Sequence, residues 1–213
     1  EIMEESFKKG EPPSLPKVEE KVILKLLKYK KKDFSKIKPL IEEGYRIAYS
    51  LSKPRYVYKI FSSESIPHHP IFERSSFVVL AICTIGEELE TEASKLTKNG
   101  ELLKGLVVDI LGSEIVEMVA DYTNSLICKE VMEMGLFAGK RFSPGYGIFE
   151  LGWQKNFFTL LPAESIGVKL LPSLMMFPRK SISFAVKIFK DRRNESSSLV
   201  CRFCDRANCE KRR

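Results

Sequence analysis

The sequence predicts an α+β fold with an antiparallel sheet. Residues 55–62 (RYVYKIFS) alternate in the way of a half-buried strand, and residues 76–84 (SFVVLAICT) form the apolar run of a buried strand. Segments with helical spacing lie before and after these strands and do not alternate with them regularly. This mixed order argues against a doubly wound parallel sheet and favours helices packed on an antiparallel sheet.

The other elements follow in chain order. The first 20 residues contain three prolines and predict an extended arm. Helical periodicity predicts helices at residues 18–30, 34–51, 86–95, 114–133 and 153–161. In the fourth of these, Ile115, Val119, Tyr122 and Leu126 fall at helical spacing. Further strands are predicted at residues 168–171 and 181–189.

Length and composition are those of an ordinary globular chain. A chain of 213 residues can bury one substantial core, and two small domains would also fit. Hydrophobic residues make up 44% and charged residues 30%, and the longest apolar run, residues 77–83, is too short to cross a bilayer. Because the amino end lacks the apolar core of a secretory signal, we expect a cytoplasmic location and no membrane association.

The charge is unevenly distributed. The formal net charge is +7, and the excess of lysine and arginine is concentrated in residues 21–38 and 211–213. A basic face attracts acidic surfaces, including nucleic acid or an acidic electron carrier. Residues 21–38 also have apolar residues at helical spacing, which is typical of a solvated helix face. Since no nucleic-acid-reading motif is present, we expect no nucleic-acid partner.

Residues 141–147 (RFSPGYG) have the chemistry of a small-molecule binding site. Arg141 offers a planar fork of donors that matches a carboxylate at two points. Pro144 fixes one backbone angle, and Gly145 allows a ligand to approach the main chain. With Tyr146 beside them, these residues suit an amino acid that carries an aromatic base. The alternative is an ordinary surface turn next to a basic residue.

Glycines 145, 147 and 152 do not form a dinucleotide-binding loop. Such a loop leaves a hydrophobic strand and enters a helix whose amides bind phosphate. Here the glycines follow Arg-Phe-Ser-Pro, and their spacing differs. The same argument excludes the common methyltransferase fold.

Several ordered blocks of residues resemble one family. Arg141, Gly145 and Tyr146 fit an Arg-x-x-x-Gly-Tyr signature, and Met176 and Pro178 form a Met-x-Pro step. The agreement extends to residues 79–86 (VLAICTIG), a long helix from near residue 111, residues 154–161 (QKNFFTLL) and residues 166–170 (IGVKL). On these blocks, residues 75–190 resemble the activation domain of cobalamin-dependent methionine synthase.

The resemblance implies a fold, a ligand and a set of binding residues. The family's fold is a twisted antiparallel sheet covered by helices, and its ligand S-adenosylmethionine lies in a shallow groove. The signature arginine faces the ligand carboxylate, which implies binding roles for Arg141, Ser143, Gly145 and Tyr146. A family glutamate on the long helix aligns with Glu117, which would pair with the ligand ammonium group. Asp121 lies one turn further along the same helix face; an exposed helix glutamate is the alternative for Glu117.

The function implied by the resemblance is reactivation of a corrinoid protein. In the family, cob(II)alamin takes one electron from a flavodoxin-like donor and a methyl group from S-adenosylmethionine. Because this chain lacks an Asp-x-His-x-x-Gly corrinoid-binding motif, the cobalamin would belong to a separate methionine synthase or other corrinoid protein. The chain would then be a free-standing activation component of a methyltransferase, with no side chain acting as acid or base.

Two segments depart from the family pattern. A family Leu-Thr-Glu-Ser is replaced by residues 170–173 (LLPS), so a threonine and a glutamate become Leu171 and Pro172. A family Ser-x-Ser-Gly is replaced by residues 181–184 (SISF), which puts Phe184 in place of a glycine. These changes are expected to alter the edge of the groove or the face that meets the corrinoid.

The cysteines form two groups. Cys83 and Cys128 lie in apolar segments and are predicted to be buried thiols. Cys201, Cys204 and Cys209 lie in a basic tail, residues 191–213, which we separate from a domain of residues 1–190.

Three cysteines are one short of a closed zinc or iron–sulfur site. The tail could therefore hold no metal, a metal or cluster completed from elsewhere, or a redox disulfide. His68 and His69, the only histidines, are interpreted as loop residues. A redox activator that uses this tail without S-adenosylmethionine is the second functional hypothesis, and a subunit that only clamps a cobalamin domain is the third.

Overall fold

A five-stranded antiparallel sheet is the centre of the molecule. In the computed structural model, residues 6–29 and 35–190 are described. The strands are β1 (Lys8–Gly10), β2 (Arg55–Ser62), β3 (Phe77–Thr84), β4 (Phe137–Phe142) and β7 (Ser181–Phe189), in the order β1-β2-β3-β7-β4. Two short strands, β5 (Lys169–Leu170) and β6 (Met176–Phe177), form a separate hairpin.

Helices cover both faces of the sheet. The helices are α1 (Glu20–Leu26), α2 (Lys38–Leu51), α3 (Glu88–Lys98), α4 (Leu102–Glu133) and α5 (Gln154–Leu160). Helices α1 to α4 pack on one face, whereas the other face is covered by α5 and three short 3₁₀ turns, Pro70–Phe72, Leu151–Trp153 and Ala163–Ile166. Within the described residues, no helix is both long and apolar enough to span a membrane.

The central strand β3 separates two hydrophobic cores. Val79, Ala81 and Cys83 face the α1–α4 side, while alternate residues such as Val78 and Leu80 face the α5 side. This two-residue period is the geometry of a strand, whose successive side chains point to opposite faces. Both faces of β3 are covered, which agrees with the apolar run of residues 77–83 from which the sequence predicted a buried strand.

Helix α4 packs closely against α3. A Cβ atom on Gly105 would lie 2.9 Å from the Ala93 carbonyl oxygen and 2.5 Å from the Thr97 hydroxyl. The absence of a side chain at Gly105 therefore sets the approach of the two helices. In this position α4 lies beside β4 and β7 over its middle turns, where the candidate ligand-binding residues are found.

The structure confirms the predicted fold class and corrects several boundaries. Helix α4 begins at Leu102, twelve residues before the predicted start near residue 114, and α1 is shorter than the predicted helix of residues 18–30. Strands β4 and β6 were not predicted, nor was β1 within the extended arm. The arm is held against α2, because the Tyr45 and Tyr49 hydroxyls donate to the carbonyl oxygens of Val18 and Pro16, at 2.6 and 2.8 Å.

Candidate functional site

Arg141 lies near the end of the edge strand β4 and points toward α4. Its Nη2 atom is 2.8 Å from Oε2 of Glu117 and 3.0 Å from Oδ1 of Asp121. The two carboxylates are four residues apart on α4 and therefore occupy the same helix face, one turn apart. One cation and two anions thus meet between a strand and a helix, as required for a ligand that carries both an ammonium and a carboxylate group.

The three charged side chains differ in exposure. The side chains of Arg141 and Glu117 are 26% and 30% exposed, whereas that of Asp121 is 67% exposed. Partial burial strengthens the Arg141–Glu117 interaction, because screening by water is reduced. Asp121 forms the outer, solvated side of the cluster.

An apolar floor lies beneath this cluster. The buried ring of Phe184 is 5.6 Å from the Arg141 guanidinium carbon, a distance at which a cation interacts with an aromatic face. The Cys83 thiol, also buried, donates to the Thr123 hydroxyl at 3.3 Å. Burial raises the pKa of Cys83 to about 12 despite the opposing effect of that hydrogen bond. Cys83 is therefore a neutral part of the core.

The turn that follows β4 presents bare backbone and an aromatic ring. Gly145 and Gly147 have φ angles of +90° and +56°, which L side chains rarely adopt. The Gly145 N–H donates to the Phe149 carbonyl oxygen at 2.7 Å, and the Phe149 N–H donates to that of Tyr146 at 3.1 Å. This closed turn leaves Tyr146 46% exposed.

An aromatic cluster anchors this turn to the sheet. Phe149 packs edge-on against Phe72 and Phe142, with ring centroids 5.7 and 5.5 Å apart, and Trp153 lies 5.4 Å from Phe149. His69 is also buried here, and its Nδ1 accepts a hydrogen bond from the Ile71 N–H at 3.1 Å. Burial lowers the pKa of His69. The histidine is thus a structural cap within the cluster, which its position in a proline-rich loop did not reveal.

A buried glutamine ties the β5–β6 hairpin to the sheet. Gln154 accepts from the Ser183 hydroxyl at 2.9 Å and donates to the Leu174 carbonyl oxygen at 3.2 Å. Of the two departures from the family pattern, Leu171 and Pro172 are exposed in the loop between β5 and β6. Phe184, in contrast, is fully buried. The ring of Phe184 packs beneath the Arg141 guanidinium, so this replacement changes the surface on which Arg141 rests.

The structure brings two of the five predicted binding residues into direct contact and places the other three on the next turn of the chain. Arg141 and Glu117 are in contact, and Ser143, Gly145 and Tyr146 lie on the adjoining turn. The ion pair of Asp121 with Arg141 was not predicted, although its helical phase relative to Glu117 was a signal for it.

The cysteine predictions have different outcomes. Cys83 is buried as predicted, but Cys128 is only partly buried. Cys201, Cys204 and Cys209 lie outside the described residues. In the part of the chain that is described, no group of histidine, cysteine and acidic residues could hold a metal ion.

The fold and the charged cluster define an α+β domain with a cluster of one cation and two anions between a long helix and the edge strand of an antiparallel sheet. No protein-family model and no curated protein match the sequence. Among solved structures, the chain is similar to the MetH reactivation domain bound to AdoHcy, with a TM-score of 0.63 and 13% sequence identity. The match covers 91% of this chain and 80% of that one. The likeness establishes a shared fold, and it confirms the fold expected from the sequence resemblance.

Proposed function

We propose that this chain binds S-adenosylmethionine and presents its methyl group for reductive methylation of cob(II)alamin on a separate corrinoid protein. The observation that carries the proposal is the Arg141–Glu117–Asp121 cluster next to the Gly145–Gly147 turn. The cluster and the turn occur on the fold of a reactivation domain that binds AdoHcy.

Each end of the ligand has matching groups. The Arg141 guanidinium suits the carboxylate of the methionyl part, and Glu117 suits its ammonium group. The main chain at Gly145 is accessible because no Cβ covers it, and the exposed Tyr146 ring offers an apolar face to adenine. Ser143, half-buried directly after β4, lies between Arg141 and Gly145 in the chain and is a further candidate for a hydrogen bond to the ligand.

The chemical power of the reaction would come from the sulfonium and the cobalt. An external, flavodoxin-like donor would supply the one electron that takes cob(II)alamin to its cob(I) state, and the methyl group would then pass from the sulfur to the cobalt, with S-adenosylhomocysteine as the leaving product. The contribution of this chain is orientation, because a held methyl donor converts a bimolecular encounter into an aligned one. No acid or base is needed.

Exposed apolar side chains around the turn support a protein partner on this side of the molecule. Six of them lie on the turn and on the β5–β6 hairpin, which Gln154 connects to the sheet. They are Tyr146, Ile148, Leu151, Leu171, Met175 and Phe177. We propose that the corrinoid protein contacts this surface, that residues 1–190 form the activation domain, and that residues 191–213 are a separate tail.

The first test is calorimetric titration of the protein with S-adenosylmethionine. One-site binding is expected, and Arg141→Ala is expected to weaken it by at least about 100-fold because two charge-assisted hydrogen bonds are lost. Glu117→Gln should also weaken binding. Arg46→Ala, which removes an exposed arginine of α2, is the matched control and should bind like the wild type.

The second test measures methyl transfer to a cobalamin-loaded partner in the presence of a reductant. Transfer should depend on Arg141. If the wild type binds no S-adenosylmethionine, alone or with the partner, the proposal fails. Loss of cobalt reduction in a Cys201→Ser, Cys204→Ser variant would then favour the redox alternative.

A further inference from the structure

Two carboxylates share a single nitrogen of Arg141. Both Glu117 Oε2, at 2.8 Å, and Asp121 Oδ1, at 3.0 Å, contact Nη2. With two anions on one cation, the cluster carries a net negative charge. The proposed function needs a ligand carboxylate on this same guanidinium, so the ligand must compete with at least one of these groups.

The geometry of a guanidinium makes the competition direct. A carboxylate can meet arginine at two points either end-on, through Nη1 and Nη2, or side-on, through Nε and Nη2. Both faces include Nη2. A ligand carboxylate that binds at two points therefore shares Nη2 with Glu117, which already accepts a hydrogen bond from it, and becomes a third anion on one cation. Repulsion among three carboxylates favours release of one of the two resident ones.

The difference in exposure identifies which carboxylate leaves. The Glu117 side chain is 30% exposed, while that of Asp121 is 67% exposed and lies on the solvent side of the cluster. Water can replace the contacts of an exposed carboxylate at small cost, and exposed ion pairs contribute little stability. Asp121 is thus the group that can be released, whereas Glu117 stays in place to receive the ligand ammonium.

We propose that Asp121 is a resident counter-ion that occupies Arg141 in the ligand-free chain and is displaced by the carboxylate of the S-adenosyl ligand. This inference rests on the proposed function. Asp121 keeps Arg141 directed toward α4 before the ligand arrives. Displacing Asp121 costs free energy, and this cost lowers the affinity for the ligand. The net negative charge of the cluster also disfavours simple anions, so a carboxylate is accepted only when an ammonium group accompanies it.

The inference predicts opposite effects for two carboxylates on one helix. In calorimetric titration with S-adenosylhomocysteine, which carries no sulfonium charge, Asp121→Asn should bind about fivefold more tightly than the wild type because a competitor is weakened. Glu117→Gln should bind more weakly because the ammonium partner is lost. Asp121→Glu retains the carboxylate and should restore an affinity within about twofold of the wild type.

A matched control removes the same charge elsewhere on the helix. Glu133→Gln, at the exposed carboxyl end of α4, should leave the affinity unchanged. If Asp121→Asn and Asp121→Ala both bind with wild-type or weaker affinity, Asp121 is not a displaced counter-ion. A purely structural role for Asp121 would weaken binding, so the direction of the change is diagnostic.

The experiment separates this inference from the proposed function. Binding that depends on Arg141 but is not tightened by Asp121→Asn overturns only the counter-ion role. Absence of binding in the wild type and in both Asp121 variants overturns both.

Discussion

Cys83 is a residue whose surroundings determine its chemistry. It is fully buried beneath the charged cluster, and burial raises the pKa of its thiol to about 12. Since the thiolate is the reactive form, Cys83 should resist iodoacetamide at about pH 8 in the folded protein and react after unfolding. Peptide mapping by mass spectrometry would measure the labelling of each cysteine separately.

Cys128 is the internal control for this prediction. It is partly exposed on α4, and burial also raises the pKa of its thiol. We expect slow labelling of Cys128 in the folded chain and slower labelling of Cys83. Equal rates for the two cysteines would mean that β3 opens far more readily than its two packed faces suggest.

At the residue scale, the sequence predicted that Arg141 and Glu117 are neighbours but did not predict the geometry of their contact. The signature identified Arg141, and helical phase placed Glu117 and Asp121 on one face. The shared contact of both carboxylates with Nη2 could not be predicted, because it depends on the distance between α4 and β4. The burial of Phe184 was also hidden, since a strand residue faces the core or the solvent according to its register with its neighbours.

At the element scale, two glycines of α4 give a matched test of helix packing. Alanine at either position should gain about 1 kcal/mol of helix propensity. At Gly105 the new Cβ would lie 2.9 Å from a backbone carbonyl oxygen of α3, which cannot move independently. At Gly112 it would meet a terminal methyl of Leu89 at 2.6 Å, which can rotate away.

We therefore expect Gly105→Ala to destabilise the protein by about 1–3 kcal/mol, as overpacking does. Gly112→Ala should stay within about 1 kcal/mol of the wild type. Urea unfolding followed by circular dichroism would measure both. A Gly105→Ala variant as stable as Gly112→Ala would show that α3 can move away from α4 without cost.

The secondary-structure prediction is wrong where tertiary contacts override the local sequence pattern. The alternation of β2 predicted its bounds as observed, Arg55–Ser62. Strand β4 (FAGKRF) has no β-branched residue and contains a glycine, and its pairing with β7 is irregular between Ala138 and Arg141. The start of α4 was missed because residues 102–113 are apolar around most of the helix, which removes the amphipathic signal.

At the scale of the whole molecule, the candidate site joins the two cores. The cluster of Arg141 and its carboxylates lies on the α4 side of the sheet, above Phe184. The Gly145–Gly147 turn is anchored through Phe149 in the core on the α5 side. The two halves of the proposed ligand site are therefore positioned by different cores, and the shared strands β4 and β7 fix their separation.

Four tyrosines lie on α2 and β2. Their raised pKa values predict that the fold loses stability at alkaline pH. Burial raises the pKa of Tyr45, Tyr49, Tyr56 and Tyr58, and for Tyr58 a hydrogen bond to Glu130 at 2.8 Å adds to the effect. In the unfolded chain these phenols ionise at about pH 10. Because their pKa values are higher in the folded state, their contribution to stability is complete below that pH and is lost as the pH rises through the folded values.

The free energy of unfolding should therefore fall steeply above about pH 10. Denaturant titrations at increasing pH, with tyrosinate absorbance recorded in parallel, would measure this decline. In Tyr58→Phe the ring is retained but one ionisation is removed, so the decline should be shallower, although the lost bond to Glu130 lowers stability at neutral pH. An unchanged slope in this variant would mean that Tyr58 reaches water without unfolding, and that β2 and α4 separate locally at that end of the sheet.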